Sequence, residues 1–146
     1  MILAAVLDAN VIVSGVLGYD RPQSPPGELL RRWRTGTYLL VTSDHIVGEV
    51  RRVFQRRWFV ERGIADEGAW VFSLLEERST SVEITVSVTG VTRDPDDDLV
   101  IATALSAGVG LVVSGDDDLL SLGEYESVRF FDPAQFVALL DERGLG

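Results

Sequence analysis

Four segments rich in apolar residues mark the predicted strands of a sheet. The first of them, at residues 3–7, is apolar throughout, which is typical of a strand buried on both faces. The strands predicted in this way are residues 3–7, 38–41, 111–114 and 128–131. A further segment, residues 82–89, alternates apolar with polar positions and predicts a strand with one exposed face.

Between these segments, apolar residues recur at spacings of three and four, which predicts helices. Ser24, before Pro25, and Ser43 or Asp44 suit helix N-caps. The predicted helices are residues 10–17, 25–34, 44–57, 66–78, 95–107 and 117–122, with a last one capped by Asp132. Alternating strands and helices predict an α/β fold, with a parallel sheet covered by helices on both faces. The 146 residues fit a single domain.

The composition excludes several kinds of chemistry. The chain has no cysteine, which excludes thiolate zinc sites and cysteine nucleophiles, and no lysine, which excludes Schiff bases and the lysine of P-loops. Its single histidine, His45, is predicted to be a surface or cap-region residue. No apolar run could span a membrane, and the short apolar N-terminus lacks the basic leader of a signal peptide. We therefore expect a cytoplasmic protein.

The net charge of −10 is unevenly distributed along the chain. Residues 21–62 contain nine arginines and four acids, a balance of +5, so the remainder carries −15. This asymmetry indicates one surface for an anion and another for cations or a basic partner. Arg52 and Arg56 share a helical stripe with Glu49, so they are candidates for binding RNA phosphates. Surface charge explains them equally well.

Four carboxylates from distant segments are predicted to converge at one edge of the sheet. Asp8 and Asp116 follow buried strands, whose carboxyl ends form the ligand-binding edge of a parallel sheet. Asp97 lies in the first turn of a helix that starts near this edge, and Glu49 lies on the helix after the second strand. Clustered carboxylates repel one another unless a cation resolves the repulsion, and oxygen ligands favour Mg²⁺ or Mn²⁺. Each acid taken alone also fits a helix cap or a polar turn.

Four segments resemble, in order, the motifs of PIN domains. They are VLDANVIVS (6–14), SDHIVGEV (43–50), DPDDDLVIATAL (94–105) and VSGDDDLL (113–120). The resemblance covers nearly the whole chain and implies a three-layer α/β/α sandwich with a central, mainly parallel sheet, as one domain over residues 1–146. Within the third motif, it aligns Asp97, rather than Asp96 or Asp98, with the acid that PIN domains have there.

The resemblance also implies the roles of the site residues. The catalytic, metal-coordinating residues would be Asp8, Glu49, Asp97 and Asp116, with Asp118 as an auxiliary ligand for Mg²⁺ or Mn²⁺. The residues that hold these carboxylates in place would be Asn10, Ser114 and Asp94. The implied activity is metal-dependent hydrolysis of RNA phosphodiester bonds. The most similar branch consists of bacterial toxins of toxin–antitoxin pairs, which implies an antitoxin partner and a homodimer.

Two other functions remain open at this point. A phosphotransfer domain, such as a response-regulator receiver or a haloacid-dehalogenase-like phosphatase, also places an Asp after its first strand, but it relies on a lysine that this chain lacks. The phosphatase also needs an Asp where Asn10 stands. A non-catalytic PIN-like module that binds RNA or protein is the other alternative. Trp33, Trp58 and Trp70 could stack on bases, although a core or interface position is the first expectation.

Overall fold

The computed structural model describes residues 2–144, apart from the side chains at positions 65 and 67. Over this range the strands form one six-stranded sheet in the order β3-β2-β1-β4-β6-β5, parallel except for β5. The strands are β1 (Ala4–Leu7), β2 (Leu39–Thr42), β3 (Ser79–Ser81), β4 (Leu111–Val113), β5 (Glu124–Tyr125) and β6 (Val128–Phe131).

Helices flank this sheet, as the alternating pattern predicted. They are α1 (Ala9–Leu17), α2 (Pro25–Arg34), α3 (Asp44–Phe54), α4 (Arg57–Glu61), α5 (Ala65–Arg78), α6 (Pro95–Ala107), α7 (Asp117–Leu120) and α8 (Pro133–Glu142). Helix α6 packs on β1, β2, β4 and β6, whereas α1 contacts α2, α3 and α5. The predicted α/β/α architecture with a mainly parallel central sheet is confirmed. Within the described range, no helix combines the length and the apolarity that crossing a membrane requires.

Helices α1 and α2 pack closely where the chain turns back on itself. A Cβ added to Gly15 would lie 2.5 Å from a side-chain carbon of Leu30, and one added to Gly27 would lie 2.1 Å from the Gly18 carbonyl oxygen. Glycine is therefore required at both contacts. This packing fixes the direction of α1, whose first turn carries Asp8 as its N-cap.

The prediction of a strand at residues 82–89 is wrong. The edge strand on this side of the sheet is β3, which ends at Ser81. Beyond it the Val82 N–H continues the pairing by donating to the Thr42 carbonyl oxygen at 2.9 Å. The N–H groups of Thr85 and Val86 donate instead to the Ser106 hydroxyl on α6, at 2.9 and 3.0 Å. The segment alternates because one side packs inward, where Val88 is buried. Among residues 2–144, no strand pairs with its backbone.

The helix predicted to run to residue 57 ends earlier, at Phe54. Arg56 is extended, with φ −65° and ψ 147°, and a separate short helix, α4, follows it. The break turns Phe59 back onto Phe54, so that their rings meet edge to face with centroids 5.4 Å apart. Burial of Phe59 therefore outweighs the continuation of α3, at a point where the sequence has neither Gly nor Pro to signal it.

Strand β5 was also not predicted. It forms a hairpin with β6 across Glu126 and Ser127, and Glu126 adopts a positive φ of 53°. A two-residue hairpin usually contains Asn-Gly or Asp-Gly, which supply such a conformation without strain. Because neither dipeptide is present here, the sequence carried no signal for the turn.

The three central parallel strands deliver polar residues to one edge of the sheet. Ser43 follows β2, Asp8 follows β1 and Ser114 follows β4. The Asp8 N–H donates to the Val113 carbonyl oxygen at 2.9 Å, which continues the pairing of β1 with β4 past the end of β1. The backbone of Asp8 is therefore held by the sheet itself.

Candidate functional site

A cleft of about 490 Å³ opens beyond the carboxyl ends of the central strands. Its lining combines acids with apolar side chains and two arginines. The lining residues are Asp8, Ala9, Asn10, Val13, Ser14, Leu17, Glu49, Arg52, Val53, Arg56, Phe59, Asp94, Asp96, Asp97 and Asp116. The structure therefore brings together all four acids that the sequence placed at this edge.

Asp8 lies at the floor of the cleft, buried and held by several donors. Its Oδ2 accepts hydrogen bonds from the Ser114 hydroxyl at 2.7 Å and the Asn10 amide at 3.1 Å. Burial raises the pKa of Asp8 and the nearby Asp116 charge adds to the rise, while the hydrogen bonds from Ser114 and the Ala9 N–H oppose it. Ser114 also accepts from the Asp116 N–H at 3.0 Å, so one hydroxyl positions two of the acids.

Three of the cleft acids also cap helices. Asp8 accepts from the Ala9 N–H at 2.8 Å, Asp94 from the Asp96 N–H at 2.9 Å and Asp116 from the Asp118 N–H at 2.8 Å. Helix caps and a carboxylate cluster were alternative interpretations of these residues in the sequence. In the structure both hold at once, because α1, α6 and α7 all begin at the cleft.

Asp97 differs from these capping acids. Its side chain is buried, with the residue 7% exposed, and its Oδ2 lacks a hydrogen-bond partner among the described residues. Burial, reinforced by the charges of Asp116, Asp8 and Asp94, raises the pKa of Asp97 to about 7. A buried carboxylate with an unpaired oxygen is costly, so Asp97 is the residue here that most needs a cation.

The two neighbours of Asp97 have different surroundings. Asp98 is buried on the other side of α6, where its carboxylate accepts from the Gly90 N–H at 3.0 Å and from the Thr92 N–H and hydroxyl at 2.8 and 3.0 Å. It therefore fixes the loop that precedes α6. Asp96 is exposed at the rim of the cleft.

Glu49 reaches the cleft from α3, beside a histidine whose position the sequence did not reveal. Burial raises the pKa of Glu49, and the neighbouring charges of Asp96 and Asp8 add to the rise, while His45 opposes it. The Nε2 of His45 lies 3.4 Å from Glu49 Oε1 and 3.8 Å from Asp96 Oδ1. His45 was expected on the surface or near a cap. It does lie in the first turn of α3, but it is half-buried and faces the acids.

Asp118 lies beside the cleft rather than in its lining. One carboxylate oxygen from each of Asp97, Asp116 and Asp118 lies within 4.8 Å of the others, close enough to share a cation. The same Asp118 side chain also forms an ion pair with the exposed Arg93, with 2.6 Å between Oδ1 and Nη2. Asp118 can therefore be neutralised either by a cation or by arginine.

The arginines near the cleft are only partly as predicted. Arg52 and Arg56 both line it and are exposed, but Arg56 lies outside α3, so the single helical stripe predicted for them is wrong. Within residues 2–144, leaving aside the undescribed side chains, neither forms an ion pair. Other arginines of the basic segment contact neighbouring side chains: Arg31 and Arg32 pair with Glu28, Arg57 pairs with Glu61, Arg34 bonds to Tyr19, Arg51 lies over Phe72 and Arg62 lies over Trp58.

The three tryptophans do not line the acidic cleft. Trp33 is a core residue whose indole N–H donates to the Arg78 carbonyl oxygen at 3.2 Å. Trp70 is half-buried and meets Tyr19 edge to face, with centroids 4.9 Å apart. Trp58 is 48% exposed and packs against Phe59, which does line the cleft. The expected core position therefore holds for Trp33.

Comparisons with known proteins point to one family and one fold. A family model described as "PIN domain" matches residues 4–118. No curated protein matches the chain. Among solved structures, VapBC2 from Rickettsia felis, bound to a DNA fragment from its promoter, is similar with a TM-score of 0.58 at 11% identity, over 89% of this chain and 98% of that chain.

Two further crystal structures have the same fold. VapC20 from Mycobacterium tuberculosis, described as a sarcin-ricin loop cleaving toxin, is similar with a TM-score of 0.53 at 16% identity, over 86% of this chain and 98% of that chain. FitAcB from Neisseria gonorrhoeae is similar with a TM-score of 0.50 at 18% identity, over 89% and 98%. At these identities the likeness concerns the fold.

Proposed function

Because the chain belongs to the PIN domain family, we propose that it is an endoribonuclease that hydrolyses RNA phosphodiester bonds with the help of Mg²⁺ or Mn²⁺. The observation that carries this proposal is the unpaired Asp97 oxygen, buried in a cleft that Asp8 and Asp116 also line. Acids held this close raise one another's pKa, and a divalent cation removes that cost. The donors are all oxygens, which suits either ion.

Each acid has a role in this proposal that follows from its surroundings. Asp97, Asp116 and Asp8 hold the cation, with Asp118 as an auxiliary ligand and Glu49 facing them from α3. Ser114 and Asn10 orient the Asp8 carboxylate, and the Ser114 hydroxyl also fixes the backbone of Asp116. A bound ion supplies an activated water and stabilisation of the leaving oxygen. Asp94 holds the start of α6, and therefore the position of Asp97.

The RNA backbone would lie along the wall that carries Arg52 and Arg56. Both guanidinium groups are exposed and free of ion pairs with the described residues, so they are available to phosphate. Arginine binds phosphate oxygens through two parallel N–H donors. The phosphates would approach the acids only after a cation has offset their charge, which makes RNA binding and metal binding mutually dependent.

We also propose that the chain is the toxin of a toxin–antitoxin pair. VapC20 is described as a toxin that cleaves the sarcin-ricin loop, and VapBC2 was crystallised on promoter DNA. By analogy this chain would act as a homodimer in the cytoplasm, as a single domain, and would be inhibited by an antitoxin protein. Pull-down with the product of the adjacent reading frame, followed by cleavage assays with and without it, tests this role.

Removal of the metal should abolish RNA cleavage. The protein is stripped with a chelator, dialysed and assayed on RNA alone and after addition of Mg²⁺ or Mn²⁺, with binding of Mn²⁺ measured in parallel. Undiminished cleavage by the metal-free protein would contradict the mechanism. Specific metal binding without cleavage of any RNA would favour a non-catalytic binding module instead.

Replacing both Arg52 and Arg56 with Ala should weaken RNA binding and flatten its salt dependence. Each lost phosphate contact should reduce the slope of log K against log[salt] by about 0.7 for single strands. The matched control replaces Arg129 and Arg143, which are exposed and do not line the cleft. If both double variants change the slope equally, net charge rather than a specific contact is responsible, and the two cleft arginines are surface charge.

A further inference from the structure

A second group of metal donors lies at the α3 side of the cleft. It consists of His45, Glu49 and Asp96, and one donor atom from each lies within 4.8 Å of the others. The group at Asp97, Asp116 and Asp118 meets the same criterion separately. The described residues therefore offer two positions at the cleft that could each hold a cation, and Asp8 and Asp94 belong to neither group of donors.

The distances within this second group fit a single ion. The Nε2 of His45 lies 3.4 Å from Glu49 Oε1 and 3.8 Å from Asp96 Oδ1. Two ligands that each lie about 2.1 Å from one ion are separated by about 3.0 Å at a right angle and by about 4.2 Å when opposite. Both measured separations fall between these limits. The same Nε2 lies 3.3 Å from the Asp96 carbonyl oxygen, so an ion fits here when the imidazole carries its proton on Nδ1 and leaves Nε2 unprotonated.

The local structure explains why the three donors meet. His45 and Glu49 are four residues apart on α3 and therefore share one face. Asp96 comes from the first turn of α6, whose start is fixed by the Asp94 cap. Within the described part of the chain, neither the Glu49 nor the Asp96 carboxylate accepts a hydrogen bond from a backbone N–H, unlike those of Asp8, Asp94 and Asp116. These oxygens are not engaged in capping, so they are free to coordinate.

We propose that His45, Glu49 and Asp96 form a second cation position, which takes a first-row transition-metal ion such as Mn²⁺ in preference to Mg²⁺. The reason for this preference is the imidazole nitrogen of His45. Mg²⁺ is bound almost entirely by oxygen ligands, whereas imidazole binds transition metals well. The inference deepens the proposed function, since it rests on the same cleft being a metal-dependent nuclease site. It assigns His45 a role as a ligand that the sequence motifs do not assign.

The test uses Mn²⁺ as the probe, with the full-length metal-free protein. Calorimetry should count two Mn²⁺ ions per chain for the wild type. The His45→Gln variant keeps a polar side chain that can still meet both carboxylates, but it should bind Mn²⁺ at the second position about tenfold more weakly or worse. Its affinity for Mg²⁺ at the Asp97 position should be unchanged, and Asp97→Asn should lose that position instead.

A spectroscopic measurement on the wild type makes the inference independent of how well the variant folds. Pulsed EPR of the Mn²⁺-loaded protein should show coupling to an imidazole ¹⁴N nucleus. A protein that binds one Mn²⁺ without nitrogen coupling would overturn the inference, leave the proposed function intact and identify His45 as a counter-ion of the acids. A protein that binds Mg²⁺ but no Mn²⁺ would overturn the inference alone, and one that binds neither ion would overturn both.

Discussion

The Asp97→Asn variant should lose RNA cleavage by about two orders of magnitude or more while remaining folded. The substitution removes the charge of the one cleft acid whose buried oxygen has no partner among the described residues, and it preserves side-chain volume. A metal ion contributes several kcal/mol to charge stabilisation in the transition state, and each 1.4 kcal/mol corresponds to about a factor of ten in rate. Loss of a ligand should therefore be nearly complete at ordinary metal concentrations.

The matched control for this variant is Asp117→Asn. It removes the same charge from an exposed residue that does not line the cleft. Asp117 is next to Asp116, a proposed ligand, so the control lies close to the site. Initial rates are measured across a range of Mg²⁺ and Mn²⁺ concentrations, with circular dichroism to check folding. Full activity in Asp97→Asn would show that another acid of the 94–98 run carries the reaction. Equal losses in both variants would point to the overall charge of this surface.

Without metal, Asp97→Asn should stabilise the fold and Asp98→Asn should destabilise it, although the two residues are adjacent on α6. Asp97 is buried against like charges, so its ionised form opposes folding. Asp98 accepts three hydrogen bonds from the Gly90–Thr92 loop. A side-chain amide at position 98 would replace one accepting oxygen with an NH₂ group, which cannot accept a hydrogen bond. One of the loop donors would lose its partner, which should lower the free energy of unfolding by about 2 kcal/mol.

The pH dependence of the Asp97 effect follows from linkage. The folded pKa of Asp97, about 7, lies above its unfolded value of 3.8, so the folded state binds more protons between these pH values. Wild-type stability should therefore fall as the pH rises from about 4 to about 7. The advantage of Asp97→Asn should be absent near pH 4 and largest near pH 8, on the order of 2–4 kcal/mol at about 1.4 kcal/mol per pKa unit.

Thermal melts of the wild type and both variants, with chelator and with Mn²⁺, at pH 4 and pH 8, measure these effects. Mn²⁺ should raise the wild-type melting temperature by mass action and remove the advantage of Asp97→Asn. A metal-free Asp97→Asn protein that melts below the wild type at pH 8 would identify Asp97 as a hydrogen-bonded structural group. The repulsive cluster proposed around it would then be wrong.

The sequence predicted those site residues that directly follow a strand or begin a helix at the edge of the sheet. Asp8 and Asp116 could be placed at one sheet edge because β1 and β4 are parallel, and Asp97 because α6 begins there. The proximity of His45 to Asp96 could not be predicted, since it depends on how α3 and α6 approach each other across the sheet edge. That approach is set by packing between distant segments, which leaves no periodic pattern in either one.

The errors in the fold have a similar origin. Alternation at residues 82–89 correctly indicated which side packs inward, but it could not show that Ser106, rather than a strand, would satisfy the backbone N–H groups of Thr85 and Val86. The end of α3 depends on Phe59 reaching Phe54. Periodicity reports the environment of side chains, whereas the partners of backbone groups are decided by tertiary structure.

The double use of Asp8, Asp94 and Asp116 as helix caps has a consequence for interpreting relatives of this chain. A descendant that had lost catalysis would still benefit from an acid or a similar capping residue at these three positions, because the helices would still need their first turns satisfied. In the part of the chain that the structure describes, Asp97 caps no helix, and its replacement is predicted to stabilise the metal-free fold. Retention of the three capping acids is therefore weak evidence that a homologue is active. A replacement at position 97 would be the earliest sign in a sequence that catalysis had been lost.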